Sequence, residues 1–294
     1  MPSRTRAVAA GLLLTASLTA AGLAPGGADA ATGQGGTDRS TQATPRLAPP
    51  VTVAINVGKN GITRSRTGFR PGWTRFDIRS TGGGGTVEVM RLRHGYTLAM
   101  LRRDFGRLFN GNVRAVRRID HGVNFYGGSE VLRHRTASFV THLGAGRYLI
   151  ANLDQGTLTR MRVSGRPQLR SHPHGSGRIN LVHDDRFGNP GVRRHEGWMR
   201  SINKTDEPHF IELNQDKRST RHRQVQKWFD QGADSEPTWG LKASGGTLVI
   251  GPGHTVYWKY DLPRGKYLEA CFWPSDENGM PHAFMGMWEL TWLR

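Results

Sequence analysis

From Val51 onward the chain alternates apolar and polar side chains in short runs broken by glycine and proline. Val51 to Val57 comes first, followed by Trp73 to Ile78, Thr86 to Leu92, Ala137 to His142, Tyr148 to Asn152 and Thr157 to Val163. A period of two between turn residues predicts antiparallel strands packed as a sandwich or barrel. Gly82 to Gly85 reads as a hairpin turn, and Gly144-Ala145-Gly146 as a second turn. One stretch keeps a helical period instead. Leu98, Leu101, Phe105 and Leu108 predict a single amphipathic helix inserted among the strands.

The pattern then repeats with a period as long as a domain. Gly72-Trp73-Thr74-Arg75 returns as Gly197-Trp198-Met199-Arg200. Asp104-Phe105, read as a helix end, is echoed by Trp228-Phe229-Asp230 at the end of a second candidate helix that starts near Ser219. Gly146-Arg147-Tyr148-Leu149-Ile150-Ala151-Asn152 matches Gly265-Lys266-Tyr267-Leu268-Glu269-Ala270-Cys271 almost position by position. The fold expected is therefore all-β: two tandem Greek-key β-sandwiches, each with one short inserted helix. The first would span 51–165 and the second 166–294, with the boundary in the Pro/His/Ser/Gly-rich stretch from Gly165 to Gly177.

Ahead of the strands, Arg4 and Arg6 precede an apolar run from Ala7 to Leu23, and Ala28-Asp29-Ala30 follows. That order of charge, apolar core and small residues predicts a signal peptide over 1–30. Residues 31–50, rich in Thr, Gly, Gln and Pro, read as a flexible linker. The expectation is a secreted protein, extracellular or attached to the cell wall, with no membrane span in the mature form.

Charge changes the picture further. The 294 residues carry 41 Lys+Arg against 23 Asp+Glu, a formal net charge of +18. Most of the excess lies in the first copy. Arg64, Arg66, Arg70, Arg91, Arg93, Arg102, Arg103, Arg107, Arg114, Arg117 and Arg118 could form a face for an anionic cell-wall polymer or polysaccharide, or for a negatively charged redox partner. No nucleic-acid module is visible. With 36% hydrophobic residues and 1 Cys, the composition excludes a membrane bundle and a disulfide scaffold. Neither an HExxH pair nor a GxSxG elbow occurs, so an electron carrier or binding protein is favoured over an enzyme. His172-Pro173-His174 reads as a solvated loop.

Candidate chemistry is confined to the second copy. His209 follows Pro208 near the start of a strand, Cys271 ends a strand, and His282, Met285 and Met287 come soon after. Asn152 stands where the first copy would have its cysteine. A thiolate, two imidazoles and a thioether suit copper that cycles between two oxidation states. An inert site in which Cys271 is a small buried hydrophobe and the methionines pack on tryptophans is the structural alternative.

Here the sequence resembles the cupredoxins, the blue-copper family. The resemblance rests on Pro208-His209, on Gly265-Lys266-Tyr267 leading into Cys271, and on Pro281-His282 followed by Gly286-Met287. It implies one mononuclear copper with His209, Cys271 and His282 as equatorial ligands and Met287 as the axial one, Met285 being the reserve. It further implies electron transfer or copper handling with a redox partner of unknown identity, and a His282 nearest to solvent as the electron's exit. The alternative is a non-metal cell-envelope or extracellular binding protein on the same scaffold, docking through its basic first domain. The stretch from Phe272 to Pro281 departs from the family in being longer than the well-known blue-copper loops, so Pro274 to Gly279 must bulge outward.

Overall fold

The computed structural model describes residues 47–82, 84–182, 186–188, 193–233 and 235–294. The expected signal peptide and most of the expected linker lie outside the described residues. The end of that linker is tied down: Ala48 bridges Arg170, whose guanidinium donates to the Pro49 carbonyl at 2.7 Å.

The first repeat comprises β1 (Val51–Gly58), β2 (Gly61–Arg64), β3 (Gly68–Phe69), β4 (Gly72–Ser80), β5 (Gly85–Leu92), α1 (Leu98–Leu108), α2 (Val113–Gly122), β6 (Val123–Val131), β7 (Thr136–Leu143), β8 (Gly146–Asn152) and β9 (Thr157–Val163). The second comprises β10 (Gly177–Val182), β11 (Arg186–Gly188), β12 (Glu196–Asn203), β13 (His209–Asp216), α3 (His222–Asp230), β14 (Gly240–Ile250), β15 (Thr255–Asp261), β16 (Gly265–Ala270), a 3-10 turn (His282–Met285) and β17 (Trp288–Leu293). The alternating strands were legible to within a residue or two. The helices were less so. Val116 and Ile119 bury one face of α2 between arginines, a helix the sequence reading did not contain. Asp104 sits inside α1 and not at its end, and α3 starts at His222, after Ser219.

Connectivity is repeated except for β3, which pairs with β9 and has no counterpart strand among the described residues of the second repeat. In the first repeat β1 pairs with β2 and, in parallel, with β4, which pairs with β7; β5 pairs with β6 and β8, and β8 with β9. The second repeats each pairing as β10 with β11 and, in parallel, with β12, then β12·β15, β13·β14, β13·β16 and β16·β17. The segment around Gly82 to Gly85 carries the chain from β4 in one sheet to β5 in the other. It is a crossover between layers and not a hairpin, because β4 and β5 belong to different sheets.

The two sandwiches share their sheets. One sheet has eight strands in the order β11-β10-β12-β15-β7-β4-β1-β2, and the other has nine in the order β17-β16-β13-β14-β6-β5-β8-β9-β3. At the seam β7 pairs antiparallel with β15, and β6 with β14. Each seam strand thus meets its own counterpart, the self-complementary contact of a two-fold dimer made within one chain. Apolar residues of both repeats form one buried cluster through the seam, from Phe76 and Phe139 to Trp258 and Tyr267.

β16 is buried on both faces. Tyr267 and Cys271 join the sandwich core, whereas Leu268 and Ala270 pack under α3 with Val225 and Phe229. Its alternation therefore aims Cys271 inward.

Candidate metal centre

The register of β13 against β16 pairs Glu212 with Ala270. Extending it by one residue sets Cys271 opposite Ile211, and His209 is the next residue on the same face. The third group arrives from the long loop. His282 N–H donates to the Trp273 carbonyl at 2.9 Å, Ala283 N–H to the Cys271 carbonyl at 2.6 Å, and Met287 N–H to the His282 carbonyl at 2.9 Å. A bridge between Pro274 and Pro281 closes the neck of this loop. The added residues bulge beyond the neck, so loop length does not displace His282 from Cys271.

The ligating atoms of His209, Cys271 and His282 all lie within 4.8 Å of one another, and all three residues are buried. Cys271 Sγ is 3.6 Å from His209 Nδ1 and 3.7 Å from His282 Nδ1. The thiol can donate to one imidazole and accept Nδ1–H from the other, so hydrogen bonding is one account of the two contacts and a shared cation is another. Metal–sulfur and metal–nitrogen bonds of about 2.3 and 2.0–2.1 Å, meeting at about 110–120°, separate S from N by about 3.6–3.8 Å. The residues present fit a metal ion of the kind that takes two imidazoles and one thiolate.

Protonation is arranged to match. His282 Nε2 lies 2.8 Å from Glu207 Oε2, so the carboxylate draws the ring proton to Nε2 and leaves Nδ1 as a lone pair facing Cys271. Burial holds the His209 imidazole well below the usual histidine range, which keeps it neutral. Neutral imidazoles are what a metal requires.

The two methionines differ. Met287 is fully buried in the same core as Cys271, and its carbonyl accepts from Cys271 N–H at 3.2 Å. Met285 is 39% exposed, and its sulfur faces Asn278. The reserve position is turned to the surface.

His282 is not the solvent-facing residue expected of it. It is fully buried, and Glu207, one-quarter exposed, covers its outer nitrogen. Glu207 was missed by the sequence reading although it stands two residues before His209.

The first repeat closes the site from the far side. Trp273 Nε1 donates to Asp120 Oδ1 of α2 at 3.2 Å, and its ring meets Phe125 of β6 edge-on at 5.4 Å. Arg117 donates to the carbonyls of Asp276 (2.7 Å) and Glu277 (3.5 Å) at the tip of the loop. Burial, reinforced by Glu207 and Asp276, pushes the Asp120 carboxyl up to about 8. Asp120 comes from the other repeat, and nothing local to the loop signals it.

Among the described residues no equivalent site exists in the first repeat. Asn152 occupies the Cys271 position, and Gly85 occupies that of His209. A Cβ on Gly85 would lie 2.7 Å from Asn152 Nδ2, so these two positions face each other here as well.

The arginines expected to dock an anion are held in different ways. Arg118 and Arg103 bind the buried Asp104 carboxylate at 2.7 and 3.0 Å. Arg91 donates to Ala145 O, Arg93 to Asn124 Oδ1, and Arg117 to the loop. Arg102, Arg107 and Arg114 are exposed on α1 and α2. Among the described residues no helix is long and apolar enough to cross a membrane.

No family model and no curated protein matches the chain. Among solved structures it is similar to auracyanin from the photosynthetic bacterium Roseiflexus castenholzii, at 14% identity over 42% of this chain and 99% of that one, with a TM-score of 0.27. It is also similar to auracyanin A, a "blue" copper protein from Chloroflexus aurantiacus, at 13% identity over 40% of this chain and 96% of that one, with a TM-score of 0.25. A multicopper oxidase aligns at 9% identity over 85% of this chain and 90% of that one, with a TM-score of 0.23. The fold is two β-sandwich repeats with corresponding strand orders, and among the described residues the His-Cys-His cluster occurs in the second repeat alone.

Proposed function

We propose that this is a secreted copper protein that carries electrons or handles copper through one mononuclear site in its second repeat. His209, Cys271 and His282 would hold the ion, with Met287 as a further, weaker thioether donor. The observation that carries this reading is the convergence of one thiol and two imidazole nitrogens from three buried residues. Copper in such a set supplies a one-electron couple. The chain's own part is to orient and to exclude water: Glu207 holds the proton on His282 Nε2, and Trp273 with Phe125 walls the pocket. With Met287 added to the three, no position would be left open for a substrate, which favours electron transfer over turnover. The signal-like first thirty residues support export, and a copper thiolate would protect a lone cysteine from oxidation there.

Voltammetry of the purified protein loaded with one equivalent of copper tests the reading. It predicts a reversible one-electron wave that disappears in Cys271→Ser. An electrochemically silent protein, with Cys271 reacting freely with thiol reagents after mild unfolding, would leave an inert binding scaffold.

A further inference from the structure

A cleft of about 400 Å3 opens at the margin of the first repeat, far along the chain from the His-Cys-His cluster. Three segments meet there: the chain entering β1, the stretch from β2 to β3, and the connector that leaves β9. Each contributes to the lining, which includes Pro50, Arg66, Phe69, Arg70, Gln168 and Arg170 and contains no carboxylate.

The three guanidinium groups meet only neutral partners. Arg66 Nε donates to Thr52 O at 3.0 Å. Arg170 donates through Nη1 to Pro49 O at 2.7 Å and through Nη2 to Gln168 Oε1, while its Nε is buried without a partner. Arg70 is exposed, and no ion pair among the described residues involves any of the three. Three positive charges around one concavity repel each other and are not offset by the protein, so an anion entering the cleft gains from all of them.

We propose that this cleft binds a phosphate ester. A planar carboxylate is matched by a single guanidinium fork, whereas a tetrahedral oxyanion can accept from several donors at once, and three arginines line this cleft. The volume exceeds what the oxyanion alone fills. Phe69 and Pro50 offer an apolar wall to a body of roughly sugar size, in the range of ordinary small-ligand clefts. The ester could be a small metabolite or one unit of a phosphodiester polymer, and the chemistry recognised is the same. The site is independent of the metal reading and does not use the α1 and α2 arginines.

Thermal-shift and calorimetric titrations of the full mature protein at fixed ionic strength test this, with inorganic phosphate, glycerol 3-phosphate, poly(glycerol phosphate) and galacturonate as probes. A saturable rise in melting temperature with a phosphate probe is expected. Affinity should fall at least about tenfold in the R66Q/R70Q double variant, whose unliganded melting temperature stays near wild type because both side chains are exposed. Binding of glycerol 3-phosphate alone would assign a small ester, and tighter binding of the polymer with the same arginine dependence would assign a polymer. Equal binding of galacturonate, undiminished binding by the double variant, or no effect beyond that of chloride would overturn the proposal.

Discussion

Glu207 Oε2 lies 2.8 Å from Nε2 of His282, on the side of the ring opposite the nitrogen that faces Cys271. The carboxylate therefore selects the tautomer whose lone pair points into the pocket. Removing it leaves a buried ring free to rotate or to place its proton on Nδ1. Glu207→Ala is expected to weaken copper affinity by about 10–100-fold, and Glu207→Gln, which keeps an acceptor, by less. Competition against a chelator of known affinity measures the difference.

Asp120 links pH to stability. Its carboxyl is raised to about 8 in the fold, chiefly by burial, against an ordinary value of 3.8 in the unfolded chain. Between those values the folded state holds a proton that the unfolded state has lost, so this contribution is fully present below pH ~4 and is lost as pH rises through ~8. Unfolding of the metal-free protein in urea should show stability falling over that window. Asp120→Asn, which can still accept from Trp273, should flatten the fall.

Gly279 holds the tip of the long loop against the first repeat. Its φ is +76°, and a Cβ there would lie 3.0 Å from the Gly111 carbonyl. Gly279→Ala should cost about 1–2 kcal/mol from the left-handed backbone alone. It should also lower copper affinity without touching a ligand, since the loop presents His282. Unchanged affinity in calorimetry would separate the loop tip from the site.

The seam makes the repeats one folding unit. Gly127 of β6 has φ +88°, and a Cβ there would lie 2.6 Å from Val256 Cγ2 of β15. Gly127→Ala should destabilise the whole molecule by about 2 kcal/mol or more. Calorimetry should show one transition for wild type, moved down in the variant. Two separable transitions would mean that the shared sheets do not couple the repeats.

What the sequence disclosed follows from how local each signal is. Alternation in Val51 to Val57 and the match of Gly146–Asn152 with Gly265–Cys271 report strands whose faces are set by burial, and these are local. The order His209, Cys271, His282 was legible for the same reason, because two strand ends and one loop carry all three. The seam was not, since β7 and β15 have the same pattern whether their outer edges face water or each other. Nor was Asp120, whose only tie to the site is a packing contact between repeats. Glu207 stood in plain view beside Pro208 and His209, but a carboxylate near a histidine takes meaning only once His282 is placed above it.

The most direct test of the copper reading is a Cu(II) titration of the mature protein followed by visible absorption. One equivalent should produce a strong thiolate-to-copper charge-transfer band that saturates at one ion per chain. The band should be lost in Cys271→Ser and His282→Ala, and it should persist in Met285→Leu. A solution that stays colourless through excess copper, with the Cys271 thiol still titrating as free after denaturation, would contradict it.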